Sequence, residues 1–78
     1  MLYNSKETGA LIRELRLRKG MSQEVLSGLA EISRSHLSMI ETGGKSPNME
    51  TLWRISGALE LPLSALIRMV EDRLRAKD

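Results

Sequence analysis

SQEVLSGLAEISRSHLSMIET, residues 22–42, breaks into two short helical segments around a corner at about Glu31 to Ser33. Ser22 and Ser33 each stand where a hydroxyl can accept a bond from an orphan amide one turn on, the preferred way to start a helix. Val25, Leu26 and Leu29 give the first segment an apolar face, and Leu37 and Ile40 give one to the second. What remains on the second segment is Arg34, Ser35, His36, Ser38 and Met39: polar or cationic residues with one flexible apolar side chain. A helix that buries only Leu37 and Ile40 presents that remaining face to something outside its own core.

Two helices at a steep angle, the second free to enter a groove, make a helix-turn-helix arrangement. The chain also resembles a known family. S-Q-E-x-L (22–26), I-S-R-S-x-L-S-x-I-E-x-G (32–43) and S-P-x-x-x-T-L (46–52) are similar to the phage-repressor, or Xre-type, helix-turn-helix domain. The similarity runs from about Gly9 to Leu66. It implies an all-α, lambda-repressor-like bundle of five helices, with the second and third forming the motif. The small size and long last helix most resemble the controller proteins of restriction-modification systems. Ser27 departs from the Ala usual in the family, Glu31 from the Gly usual at the corner, and Val25 from an acidic residue. The last change deprives Ser22 of a reciprocal capping partner three residues on. Gly28, inside the second helix, should cost about 1 kcal/mol against Ala.

Seventy-eight residues make one small domain, here residues 1–78, only marginally stable alone unless its core is efficient or it oligomerises. There are no cysteines, which excludes disulfides and thiolate metal sites and fits a reducing compartment. No run of about 18 apolar residues exists to span a membrane, and MLYNSKETG has no signal-peptide pattern, so a cytoplasmic location is expected. The formal charge of +2 is too mild to argue for nucleic acid by itself. The placement of charge has to carry that inference.

Residues 1 to about 5 read as a loose lead-in. From Lys6 to Lys19, Leu11, Ile12 and Leu15 share a helical face, cations gather in the last turn, and Gly20 is a natural stop. Arg13, Arg18 and Lys19 read as a solvated helix end. Arg16 is singled out by the resemblance, which implies that it turns inward and pairs with Glu41. Thr42 to Pro47 is a loop whose glycine amides and Lys45 suit phosphate oxygens; an ordinary connection is the plainer alternative. Asn48 caps a fourth helix, METLWRISGALE (49–60), with Leu52, Ile55, Ser56 and Leu59 inward. Trp53 falls off that stripe, at a core edge or in a subunit interface. The fifth helix spans about 62–76 from Pro62. Its stripe is Leu63, Leu66, Ile67, Val70 and Leu74, of which Ile67, Val70 and Leu74 extend past what five helices can cover. Leu63 and Leu66 should complete the core, and Leu63, Ile67, Val70 and Leu74 are the expected dimer interface.

The third helix would read a duplex major groove, where base pairs differ in their donor and acceptor patterns. Arg34 has the fork geometry to bond guanine O6 and N7, Ser35 and Ser38 suit a base edge or a phosphate, and Met39 suits a thymine methyl. Ser33 is a cap first, with a phosphate contact second. His36 fits a phosphate or a neighbour in its own chain better than a base, and no second ligand at usable spacing makes it a metal site. The resemblance places Gln23 as a bridge between a phosphate and the reading helix; Ser22, Thr42 and Lys45 complete the expected contacts. Plainer readings are surface charge for Arg34 and core filling for Met39. The reading that follows is a sequence-specific double-stranded DNA-binding regulator, a homodimer on a palindromic operator, with no cofactor. RNA polymerase is a further partner if the protein activates. The rival is an antitoxin-like or anti-repressor module that binds another protein through the fifth helix. An enzyme is disfavoured by the single His and the absence of a Gly-rich phosphate loop between strand and helix.

Overall fold

Four of the five helices start where a short polar side chain captures an orphan amide. The amide of Lys6 donates to Asn4 Oδ1 at 2.9 Å, that of Val25 to Ser22 Oγ at 3.1 Å, that of His36 to Ser33 Oγ at 3.0 Å, and that of Thr51 to Asn48 Oδ1 at 2.8 Å. The computed structural model, which describes residues 2–77, gives α1 (Ser5–Arg18), α2 (Gln23–Ala30), α3 (Arg34–Thr42), α4 (Met49–Ala58) and α5 (Leu63–Ala76). No strand occurs among the described residues, and no helix there is long and apolar enough to cross a membrane. Pro62 precedes α5 without a side-chain cap, and α4 ends two residues before the expected Glu60.

α1, α2 and α4 end by one device. Gly20, Glu31 and Glu60 take left-handed backbone angles, with φ of 71°, 57° and 61°. The next amide then folds back onto the last turn: Met21 N–H donates to the Arg16 carbonyl, Ile32 N–H to Ser27 and Leu61 N–H to Ser56. The reversal swings Met21, Ile32 and Leu61 against the main core. Only Gly20 does this without a steric penalty. At the corner of the motif, Glu31 accepts a conformation that disfavours a β-carbon by roughly 1–2 kcal/mol.

Two apolar clusters result. Ile12, Leu26, Ala30, Leu37, Ile40, Ile55 and Leu59 form the main core, where α1 packs on α3 and α2 on α3 and α4. Leu11, Leu66, Val70 and Leu74 form the second, where α5 returns onto α1. Both clusters depart from the expected faces. Val25 and Leu29 are 50 % and 59 % exposed, and the inward face of α2 is Leu26, Ser27 and Ala30. Buried Ser27, where an Ala was usual, donates to the Glu24 carbonyl at 3.1 Å, so its hydroxyl is satisfied. Val70 and Leu74 are each only 7 % exposed, covered by their own chain rather than left for a partner, because Leu11 of α1 lies against them. Arg73 and Lys77, near the end of α5, also reach back to α1. Arg73 pairs with Glu7 at 3.3 Å and with Glu14, and Lys77 with Glu7 at 3.5 Å. The N-terminal lead-in is tied down as well. Tyr3 Oη lies 3.1 Å from Ser46 Oγ, and Ser5 Oγ donates to the Gly43 carbonyl at 2.9 Å.

Candidate nucleic-acid interface

Leu37 and Ile40 are fully buried, and this fixes the roll of α3 about its axis. Arg34, Ser35 and Met39 consequently face solvent, with His36 and Ser38 half-buried at the edge of that face. Arg34 and Lys45 have no carboxylate partner among the described residues, so both charges are available to an anion. Ser33 holds its amide cap and lies 3.4 Å, hydroxyl to hydroxyl, from Ser35. Met39 is 47 % exposed, so it is not a core filler.

The helix is held at its far end by a buried ion pair. Arg16 Nε donates to Glu41 Oε2 at 2.7 Å and Nη2 to Oε1 at 2.9 Å, while Nη1 donates to the Met21 carbonyl at 2.9 Å. The guanidinium is raised above its ordinary pKa by the hydrogen bond to Glu41, against the opposing effect of burial. Three of its donors are thus used, two of them in a planar bidentate clamp that fixes α1 against α3. Gln23 Nε2 donates to the same Glu41 Oε1 at 3.1 Å, so the start of α2 is tied to the end of the exposed helix. The exposed Ser22 stands beside Gln23 at that helix start. Ser22, Gln23, Arg34, Ser35, Ser38 and Met39 are thereby carried on one rigid pair of helices.

The loop after α3 uses several of its donors within its own chain. The amide of Gly43 (φ 83°) donates to the Ile40 carbonyl, and that of Lys45 to the Met39 carbonyl. The Thr42 hydroxyl donates to the Met39 carbonyl at 3.1 Å. These donors close the helix rather than point outward, which leaves the Lys45 ammonium as the charged outward contribution of this loop. Sequence reasoning also missed Gly9. It sits where α1 crosses α3, and a β-carbon there would overlap the Ile40 carbonyl oxygen. Nothing in its neighbours along the chain signals that crossing.

On another side of the molecule, α4 and α5 flank an apolar groove whose walls include Met49, Trp53 and Gly57 on α4 and Leu63 and Ile67 on α5. Trp53 is 67 % exposed and Met49 64 %, while Leu63 and Ile67 are half-buried. Of the four expected interface residues, then, Leu63 and Ile67 line this groove and Val70 and Leu74 do not. No cluster of three potential metal ligands occurs among the described residues.

A helix-turn-helix family profile matches residues 12–66. The transcriptional regulator ClgR of Mycobacterium tuberculosis is 34 % identical over 70 residues, covering 90 % of this chain and 62 % of its own length. The chain thus spans somewhat less than two thirds of that relative. The ImmF control region 10 kDa protein of Bacillus phage phi105 is 35 % identical over 75 residues, covering 91 % of this chain and 83 % of its own. Among solved structures, the restriction-modification controller protein C.AhdI of Aeromonas hydrophila superposes with a TM-score of 0.77 at 31 % identity, covering 80 % of this chain and 94 % of that one. A variant of the controller C.Esp1396I superposes with a TM-score of 0.86 at 26 % identity, covering 95 % and 96 % of the two chains.

Proposed function

This chain belongs to the helix-turn-helix family, and we propose that it is a transcriptional regulator that binds a specific site on double-stranded DNA in the cytoplasm as a homodimer. The observation that carries the reading is the roll of α3: Leu37 and Ile40 buried, Arg34, Ser35 and Met39 exposed. A helix so presented fits a major groove, with Arg34 at a guanine edge, Ser35 and Ser38 at base or phosphate oxygens, and Met39 against a thymine methyl. Ser22, Gln23, Ser33, His36, Thr42 and Lys45 flank it toward the backbone. A single α3 reads few base pairs. A palindromic operator read by two copies, with half-sites about 34 Å apart, supplies the remaining specificity. The groove between α4 and α5, with Leu63, Ile67 and Trp53, is the surface proposed for the twofold contact. Similarity to two restriction-modification controllers, each matched over nearly its whole chain, supports the further reading of this regulator as a controller of that kind. On an operator that overlaps a promoter, the dimer meets RNA polymerase and blocks or recruits it according to where the half-sites fall.

Selection of bound fragments from random duplexes tests the reading, because it returns site, spacing and symmetry together. A palindromic consensus supports it; recovery of no preferred sequence overturns it. Arg34→Ala should then relax preference at one position of each half-site, by about 1–3 kcal/mol of discrimination. The rival reading, a module that binds only another protein, requires that no duplex be bound even at low salt.

A further inference from the structure

Resting on that reading, we infer that the N-terminal segment adds a second phosphate seat beside the reading helix, formed by Lys6, Lys45 and the Ser46 hydroxyl and oriented by Tyr3. Its ligand is the phosphodiester backbone of duplex DNA flanking the half-site. Three observations bring these groups together. The stem of Lys6 lies over Gly43, the residue that closes α3; a β-carbon at Gly43 would come within 2.5 Å of Lys6 Cγ. Ser5 Oγ donates to the Gly43 carbonyl at 2.9 Å, holding the first turn of α1 against the loop that carries Lys45. Tyr3 Oη lies 3.1 Å from Ser46 Oγ in that same loop.

The Tyr3 phenol fixes the position of the Ser46 hydroxyl. Buried Thr8 donates its hydroxyl to Tyr3 Oη at 3.1 Å, which seats the phenol oxygen 3.1 Å from Ser46 Oγ, where either hydroxyl can be the donor. Ser46 is exposed, so its hydroxyl is open to a phosphate oxygen while Tyr3 holds it in place. Neither Lys6 nor Lys45 has a carboxylate partner among the described residues, although six of the other cations do. Two lysines without a carboxylate partner among the described residues and a positioned hydroxyl are thus carried beside the end of a helix whose exposed face is proposed to lie in a groove.

Salt dependence of duplex binding tests this, with Lys6→Gln keeping the packed stem and removing the charge. Its binding should weaken about equally for preferred and unrelated duplexes, and the slope of log affinity against log salt should fall by about 0.9 for each phosphate left unneutralised. Tyr3→Phe should weaken binding in the same sequence-independent way. Arg18→Gln is the control. Nine residues from Gly9, Arg18 lies on the opposite side of α1 from α3, so its slope should match wild type. A merely structural role for Lys6 would lower the melting temperature and leave the slope unchanged. A wild-type slope for Lys6→Gln together with wild-type affinity for Tyr3→Phe would overturn the second seat while leaving the regulator reading intact. Failure of the unaltered protein to bind any duplex would overturn both.

Discussion

A β-carbon at Gly9 would overlap the Ile40 carbonyl oxygen and lie 2.9 Å from that of Glu41, whereas one at Gly28 would meet nothing within 4 Å. Both are helix-interior glycines, and they should respond to alanine with opposite signs. Gly9→Ala must push α1 off the backbone of α3, which no side-chain rotation can relieve, so a destabilisation of roughly 3 kcal/mol or more is expected. Gly28→Ala only removes the conformational freedom of an exposed helix glycine and should gain about 1 kcal/mol. Denaturant unfolding of the two variants checks both. Equal stabilities would show that α1 and α3 do not approach so closely. The Gly28 penalty was legible from local propensity alone. Gly9 was not, because its constraint comes from carbonyls more than thirty positions downstream, where the local sequence gives no sign of a crossing. Glu31 lies between these cases: the departure from the family's Gly was visible, and its left-handed backbone is one that a Gly would adopt without strain.

At the level of helices, the buried Arg16–Glu41 clamp is what holds α1 to α3, and it was legible only through the family resemblance. Removing either partner strands a charge in the interior. Arg16→Ala and Glu41→Ala should each destabilise the fold by about 3–5 kcal/mol, and the double variant by much less than their sum. Urea denaturation of the four-member cycle measures the coupling; additive effects would mean the two groups do not act as a pair. Helix starts were readable because Ser22, Ser33 and Asn48 act through bonds to amides three residues on, which a linear reading can see. The inward face of α2 was not. In an eight-residue helix, Val25 with Leu29 and Leu26 with Ala30 are both pairs four apart, so periodicity cannot choose between them. Tertiary packing chose the pair that includes a small residue, with buried Ser27 between them. α5 was misjudged for a related reason. Val70 and Leu74 continue the stripe, but nothing local reveals that α1 turns Leu11 toward them or that Arg73 and Glu7 tie the two helices together.

The whole molecule measures 34 × 24 × 22 Å, a size at which the two copies of the proposed homodimer can reach half-sites about 34 Å apart. What a single copy leaves open is the α4–α5 groove, where Trp53 exposes two thirds of its surface. An indole so exposed is unusual for a folded chain and typical of a contact surface, since Trp is enriched at the centres of interfaces. Ile67→Asp places a charge in that groove without entering either core cluster. It should therefore leave the melting temperature of the fold nearly unchanged while shifting the protein to a monomer in sedimentation. Binding to a duplex with two half-sites should then fall by about 10²–10⁴-fold, to the level of a single half-site, because the second contact no longer comes at high effective concentration. Val70→Ala gives the complementary result. Its side chain is buried against Leu11 in its own chain, so it should lower the melting temperature, with no direct effect on self-association. If Ile67→Asp sediments as wild type while Val70→Ala dissociates the dimer, the twofold contact runs through the α1–α5 side instead, and the exposed Trp53 serves some other partner.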